Sequence, residues 1–267
     1  MRTKLTLLLT LCLLLSGCGR ETLPIPDGEE EAAEYRFDTM TAKESFTGED
    51  GQELVRYSYQ LLTMYVPNLE ELSDQGREKA ERNMEVFNAR MGQLMDDSVA
   101  YGRELGETAK EMVDLGSVMV PYYDETTASS YRAGNILSVR VDYASYTGGA
   151  HPNSYTNGYL FDLDAGQFIS VDQLADDPSV FVPGVAEMLI KLADAEPEER
   201  RSGYWTNYRD VINTWNQGTV LFGGAGMTVV FSPYELGAYA LGPVELTVSY
   251  EELAPLLGDG GRQKLGI

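Results

Sequence analysis

Cysteine, histidine and tryptophan are scarce in this chain, and each scarcity closes off some chemistry. With 2 Cys, 1 His and 2 Trp in 267 residues, there is no ligand set for a structural zinc and no second histidine to build a histidine-based relay. Basic residues are few as well: 20 Lys or Arg stand against 42 Asp or Glu, a net charge of -22 at pH 7. That charge repels phosphate backbones and anionic head groups, which argues against nucleic-acid partners and against peripheral binding to acidic membranes, and favours cationic partners. The apolar run from Leu5 to Leu15 falls short of the roughly 20 residues a membrane-spanning helix needs.

What is present begins with an address. Arg2 and Lys4 precede that apolar run, which ends in Leu15-Ser16-Gly17-Cys18, the pattern of a bacterial lipobox. Residues 1–17 therefore read as a lipoprotein signal peptide, with Cys18 as the lipidation site and an extracytoplasmic, lipid-anchored location. Cleavage removes Cys12, Arg2 and Lys4, so the mature chain is two units more negative and, with Cys18 acylated, has no thiol pair for a disulfide. Residues 18–34 carry Pro24, Pro26, Gly28 and the run Glu29-Glu30-Glu31 with almost nothing to bury, and read as an acidic tether.

The 43% hydrophobic content suits a globular core. Segments Tyr35 to Thr47 and Leu54 to Val66 alternate, with Val55, Tyr57, Tyr59 and Leu61 on one strand face, and Pro67-Asn68 ends them. From Glu70 to Met112 the period changes to 3.6, placing Ala80, Met84, Phe87, Met91, Leu94 or Met95 and Val99 on one face of a long amphipathic helix. Gly102 and Gly106 are expected to fray its last turns. Strands return over Val118 to Asp124, then from Ser130 or Tyr131 after a polar turn, then over Ile136 to Tyr146, Tyr159 to Leu163 and Phe168 to Val171, with Asp164 to Gln167 as a hairpin turn. A second helix runs from Pro178 or Phe181 to Ala195. A hairpin around Gly223-Gly224-Ala225-Gly226, a strand from Val244 to Ser249 and a short helix from Glu251 to Leu257 complete the series.

The expected class is α+β: antiparallel sheets with one long amphipathic helix and a second helix packed on them. The division reads as an N-terminal half, 35–147, a C-terminal half, 148–258, sharing its core with the first, and a tail, 259–267.

Four stretches taken in order carry a resemblance: Tyr146-Thr147-Gly148-Gly149-Ala150-His151, then Phe161 to Gly166, then Phe231-Ser232-Pro233-Tyr234-Glu235-Leu236-Gly237-Ala238-Tyr239-Ala240 with Gly242, then Val248 to Leu253. From about Val55 to Leu257 the chain resembles the extracellular domain of RsiV-type anti-sigma factors and the non-catalytic N-terminal region of PdaC-type peptidoglycan deacetylases. The resemblance implies an exported module, and in the RsiV branch a receptor for lysozyme. An anti-sigma factor also needs a sigma-binding segment and a membrane-spanning helix, and a deacetylase needs Asp and His metal ligands; with a lipobox at the start and His151 as the single histidine, neither activity is expected here.

Candidate contact residues are Tyr146, His151, Tyr155, Trp205 and Tyr208. Tyrosine and tryptophan join apolar area to a hydrogen-bonding tip and suit sugar stacking or protein anchoring, although strand packing uses the same residues. His151 either meets a ligand or caps a turn in which Gly148 and Gly149 supply positive φ. No G-x-S-x-G elbow is present. Asp162, Asp164 and Asp172 lack the spacing of a calcium loop, and Asp164 is explained as the first residue of a turn. Gly223 to Gly226 precedes a strand where a phosphate cradle needs a helix. No catalytic residue, metal or cofactor is expected. The reading is a binding module for lysozyme or another cationic envelope protein, anchored to a membrane only through its lipid. Its rivals are a peptidoglycan-binding or glycan-processing protein and a structural accessory lipoprotein.

Overall fold

A computed structural model of the protein describes residues 32–117 and 119–267. The expected signal peptide, Cys18 and most of the expected tether lie outside the described residues, as does Val118.

The alternating segments form β1 (Arg36–Thr47) and β2 (Glu53–Tyr65), which pair antiparallel. Ser73 then caps α1 (Asp74–Asp114) by accepting from the Gly76 N–H at 3.1 Å. At 1.5 Å per residue its 41 residues span about 61 Å, enough to cross the sheet and return the chain for β3 (Tyr122–Ala133) to lie parallel to β2. The sheet continues antiparallel through β4 (Ile136–Tyr146), β5 (Asn153–Asp162) and β6 (Gln167–Ile169), giving six strands in sequence order. Pairing of β4 with β5 carries this sheet across residue 148. The helix α2 (Pro178–Ala195) starts at an Asp177 cap. Two short helices, α3 (Glu198–Arg201) and α4 (Tyr208–Asn213), lead to a three-stranded sheet of β7 (Val220–Gly223), β8 (Gly226–Phe231) and β9 (Val244–Ser249). The short α5 (Tyr250–Leu253) and α6 (Asp259–Leu265) follow. The fold is α+β with antiparallel pairing dominant and one long helix. Among the described residues no helix is long and apolar enough to cross a membrane.

The two larger of four buried clusters among the described residues hold the layers. Phe87 and Met91 of α1 bury against Leu61, Val139, Val141 and Phe161 on one face of the large sheet. Phe181, Val185 and Leu189 of α2 bury against Val220, Val229, Leu246 and Val248 of the small sheet, and the same cluster reaches Ile136 and Leu160 of the large one. Each fully buried side chain of this kind contributes roughly 1.5–3 kcal/mol. The sheets approach so closely that a Cβ on Gly158 would stand 1.9 Å from the Val220 carbonyl oxygen. Phe222 N–H donates across the gap to Ser138 Oγ at 2.9 Å.

Three expectations are corrected. Gly102 and Gly106 do not fray α1. Both are buried in it, where the missing Cβ lets the helix sit on rings: an added Cβ would lie 2.5 Å from Tyr57 and Tyr59 at Gly102 and 2.5 Å from Phe46 at Gly106. The polar stretch before Ser130 is not a turn, because Glu125 to Thr127 are paired on both sides, with Ser58 to Gln60 of β2 and Asp142 to Ala144 of β4, so their backbone groups are satisfied in the sheet. Residues 259–267, read as a tail, contain α6. Its Leu265 is buried, its Lys264 carbonyl accepts from Asn135 N–H at 2.6 Å, and Lys264 Nζ donates to the fully buried Asp162 carboxylate.

Candidate functional site

Three separate stretches of chain converge on His151. The loop joining β4 to β5 turns on Gly148 and Gly149 at φ 92° and 104°, and Tyr146 closes it by donating its hydroxyl to the Gly149 carbonyl at 2.9 Å. His151 leaves the loop with Nδ1 3.1 Å from the Pro152 carbonyl and Nε2 2.6 Å from the Tyr234 hydroxyl. A carbonyl only accepts, so Nδ1 carries the proton and, in the neutral ring, Nε2 accepts from Tyr234. The imidazole also lies flat on Tyr239, with ring centroids 3.6 Å apart and planes 9° off parallel.

The second stretch is the turn Ser232-Pro233-Tyr234-Glu235 after β8, closed by Glu235 N–H donating to the Ser232 carbonyl at 3.1 Å. Proline followed by a positive-φ residue is the type II pattern, in which the second of these is ordinarily glycine. Here it is Tyr234 at φ 75°, the single non-glycine residue with positive φ among the described residues. Such backbone costs on the order of 1–3 kcal/mol and persists only where its surroundings fix it. The third stretch follows α3. Trp205 N–H donates to the Leu236 carbonyl at 2.7 Å, Trp205 Nε1 donates to the Tyr234 carbonyl at 3.1 Å, and Tyr204 bridges to Gly237. The result is a surface of fixed aromatic rings, with Trp205 41% and Tyr234 52% exposed.

Of the five residues singled out in the sequence, His151 and Trp205 meet here, joined through Tyr234. Tyr146 shapes the loop behind them. Tyr155 stands elsewhere, stacked on Tyr143 at 4.4 Å in a groove beside α1. Tyr208 is buried, its hydroxyl donating to Asp194 and its ring lying 4.8 Å under the Arg209 guanidinium, so it presents no contact surface. That hydroxyl, ahead of Arg209, holds the Asp194 carboxyl below the usual range. Tyr234 and Tyr239 were missed as site residues. The signal available was Pro-Tyr at a bend, with tyrosine where such a turn wants glycine.

The carboxylates considered for calcium are spent on structure. Asp162 accepts from Asp164 N–H at 2.8 Å and Ala165 N–H at 3.1 Å besides its Lys264 partner, and Asp164 pairs with Lys79 at 2.8 Å. The Lys79 ammonium holds the Asp164 carboxyl below its ordinary value. Among the described residues no group of three or more His, Cys, Asp or Glu stands together for a metal ion.

Residues 187–251 match the profile of a family described as "Protein of unknown function (DUF3298)". The chain is similar in structure to a DUF3298 family member from Bacteroides fragilis, at a TM-score of 0.65 and 16% identity over 88% of this chain and 98% of that one. It is also similar to a DUF3298 family protein from Pseudomonas aeruginosa PAO1, at a TM-score of 0.51 and 13% identity over the same shares of the two chains. At these identities the likeness is one of fold. No curated protein matches the chain in sequence. The matched segment runs from within α2 through β9, and so includes Trp205, Tyr234 and Tyr239.

Proposed function

We propose that the chain is a lipid-anchored, extracytoplasmic binding module whose ligand is a cationic envelope protein of the lysozyme kind. The observation that carries this reading is the exposed pair Trp205 and Tyr234, each held in place by hydrogen bonds before any partner arrives. Exposed aromatics that are already ordered lose little freedom on docking, and such residues dominate the binding energy of protein interfaces. A net charge of -22 draws a basic partner to the surface and makes the encounter rate fall as salt rises. The lipobox ending at Cys18 supports the anchor and the location. The resemblance to RsiV-type extracellular domains supports lysozyme as the first ligand to try.

The test is retention of lysozyme by the immobilised full chain in detergent, at low and at physiological salt, beside retention of the chain on insoluble peptidoglycan. Lysozyme is expected to bind, more weakly as salt rises, and Trp205→Ala and Tyr234→Ala are expected to weaken it by at least the roughly tenfold that about 1.4 kcal/mol per anchor implies. Retention on peptidoglycan alone would replace this reading with wall binding, and no retention of either would remove it.

A further inference from the structure

A concave surface lies apart from the His151 cluster. Between α1 and the ends of β3, β4 and β5 is a groove of ≈ 290 Å³, lined by Tyr101, Tyr143 and Tyr155 with Asp124, Ser145 and, at its exposed edge, Asp97, one oxygen of which accepts from Gln93 Nε2 at 2.7 Å. Tyr101 and Tyr155 are each about half exposed, at 49% and 50%, while Asp124 is half-buried at the base. One Asp124 oxygen accepts from the hydroxyl of the fully buried Tyr59 at 2.6 Å. Among the described residues no ion pair reaches Asp124 or Asp97, and no Lys or Arg lines the groove.

Elsewhere the protein places its own cations over tyrosine rings. Arg90 sits over Tyr159 and Arg56 over Tyr123, both at 5.4 Å, and Arg209 sits over Tyr208. The three groove tyrosines have no such partner among the described residues. Burial, with the Glu125 charge nearby, pushes the Asp124 carboxyl above its ordinary value, and the Tyr59 hydrogen bond only partly offsets this. Tyr143 and Tyr155 cover one face of each other, and a partly desolvated carboxylate beside aromatic rings that carry no cation lacks one component, a positive charge that is itself weakly hydrated. A neutral sugar would stack on the rings and leave that charge uncompensated. The volume suits one extended side chain rather than a folded partner surface.

We propose that this groove is a receptor site for an organic cation of the lysine or arginine side-chain class, with Asp124 and Asp97 pairing the charge and Tyr101 and Tyr155 flanking its methylene stem. The site is independent of the lysozyme reading.

Saturation-transfer NMR on the full chain in detergent tests it, with N-acetyl-lysine amide and N-acetyl-arginine amide as probes beside neutral N-acetyl-norleucine amide and N-acetylglucosamine. Transfer to the side-chain methylenes of the cationic probes is expected, at a preference of about tenfold over the norleucine probe, equivalent to about 1.4 kcal/mol. Asp124→Asn keeps an acceptor for Tyr59 and is expected to abolish the preference, and Tyr155→Leu to reduce it, with thermal unfolding confirming that both variants fold. Equal transfer to the neutral probe, transfer to the sugar instead, or an undiminished preference in Asp124→Asn would each overturn the proposal. Trp205→Ala separates the two readings: it is expected to lose lysozyme and keep the cationic probes, and a chain that binds the probes but never lysozyme would sustain this site while refuting the other.

Discussion

Replacing Gly92, Gly102 and Gly106 of α1 one at a time by alanine separates helix propensity from packing, because all three sit in the interior of the same helix. Each substitution gains roughly 0.8–1.0 kcal/mol of helix propensity. At Gly92 a Cβ meets nothing within 4 Å, so the whole gain is realised, and a domain of this size should melt roughly 2–4 °C higher per kcal/mol. At Gly106 the Cβ would stand 2.5 Å from the Phe46 ring, and at Gly102 it would stand 2.5 Å from both the Tyr57 ring and Tyr59 Oη. Those two tyrosines have little room to yield. They stack on each other at 4.8 Å, and each hydroxyl is engaged, Tyr57 with Glu44 at 2.7 Å and Tyr59 with Asp124 at 2.6 Å. Overpacking of this kind costs roughly 1–3 kcal/mol, which outweighs the propensity gain and leaves Gly102→Ala less stable by about 1 kcal/mol. Phe46 has no hydroxyl to hold it, so Gly106→Ala should fall between the other two. Thermal and urea unfolding followed by circular dichroism measures all three. If Gly102→Ala proves as stabilising as Gly92→Ala, the account of α1 as a helix seated on rings through missing side chains is wrong.

Tyr234→Gly should leave thermal stability within about 1 kcal/mol of the parent, since relief of positive-φ backbone offsets lost ring contacts and added chain entropy; a large drop in melting temperature would mean the turn is not strained. Asp124→Asn should stabilise the protein at neutral pH. The folded-state pKa of Asp124 is raised, so the cost of keeping it ionised is absent below the unfolded value of ~3.9, grows as pH rises through the folded value and is complete above it. The variant's advantage should follow that course in melting temperatures measured between acid and neutral pH, and an advantage that is unchanged across the range would contradict it. Lys264→Met removes the cation from the fully buried Asp162 and should cost about 3 kcal/mol, the lower end for breaking a buried pair, because Lys264 itself is partly exposed; urea unfolding checks this, and a neutral result would refute the role given to α6.

Much of the fold was legible because periodicity is a local property. Val55, Tyr57, Tyr59 and Leu61 alternate and are all buried in β2, and Ala80, Phe87 and Met91 recur at helical spacing and line the buried face of α1. What was not legible depends on partners distant in sequence. Glycine in a helix looks like a weak point until Tyr57 and Phe46 are seen beneath it, and the polar Glu125 to Thr127 looks like a turn until β2 and β4 are found flanking it. The parallel pairing of β2 with β3 was likewise invisible, since it depends on where a 41-residue helix sets the chain down. In the site, His151 and Trp205 were marked by residue type, but Tyr234 joins them through its backbone conformation and one hydroxyl, and Tyr208 was lost to the core through a bond to Asp194. Residue type indicates what a side chain can do, and the fold decides which face it does it on.

The ion pair between Asp162 and Lys264 joins residues 102 positions apart, so the carboxylate is synthesised well before its cation. At a synthesis rate of about 5–20 residues per second, on the order of 5–20 s pass between the two. Throughout that interval the β5–β6 hairpin contains a carboxylate destined for the interior with no cation to match it. A chain cut before α6 would keep the Asp162 carboxylate without its cation and is expected to lose about the same 3 kcal/mol as Lys264→Met. The helix α6 thus makes the stability of the β5–β6 hairpin depend on a segment translated long after it.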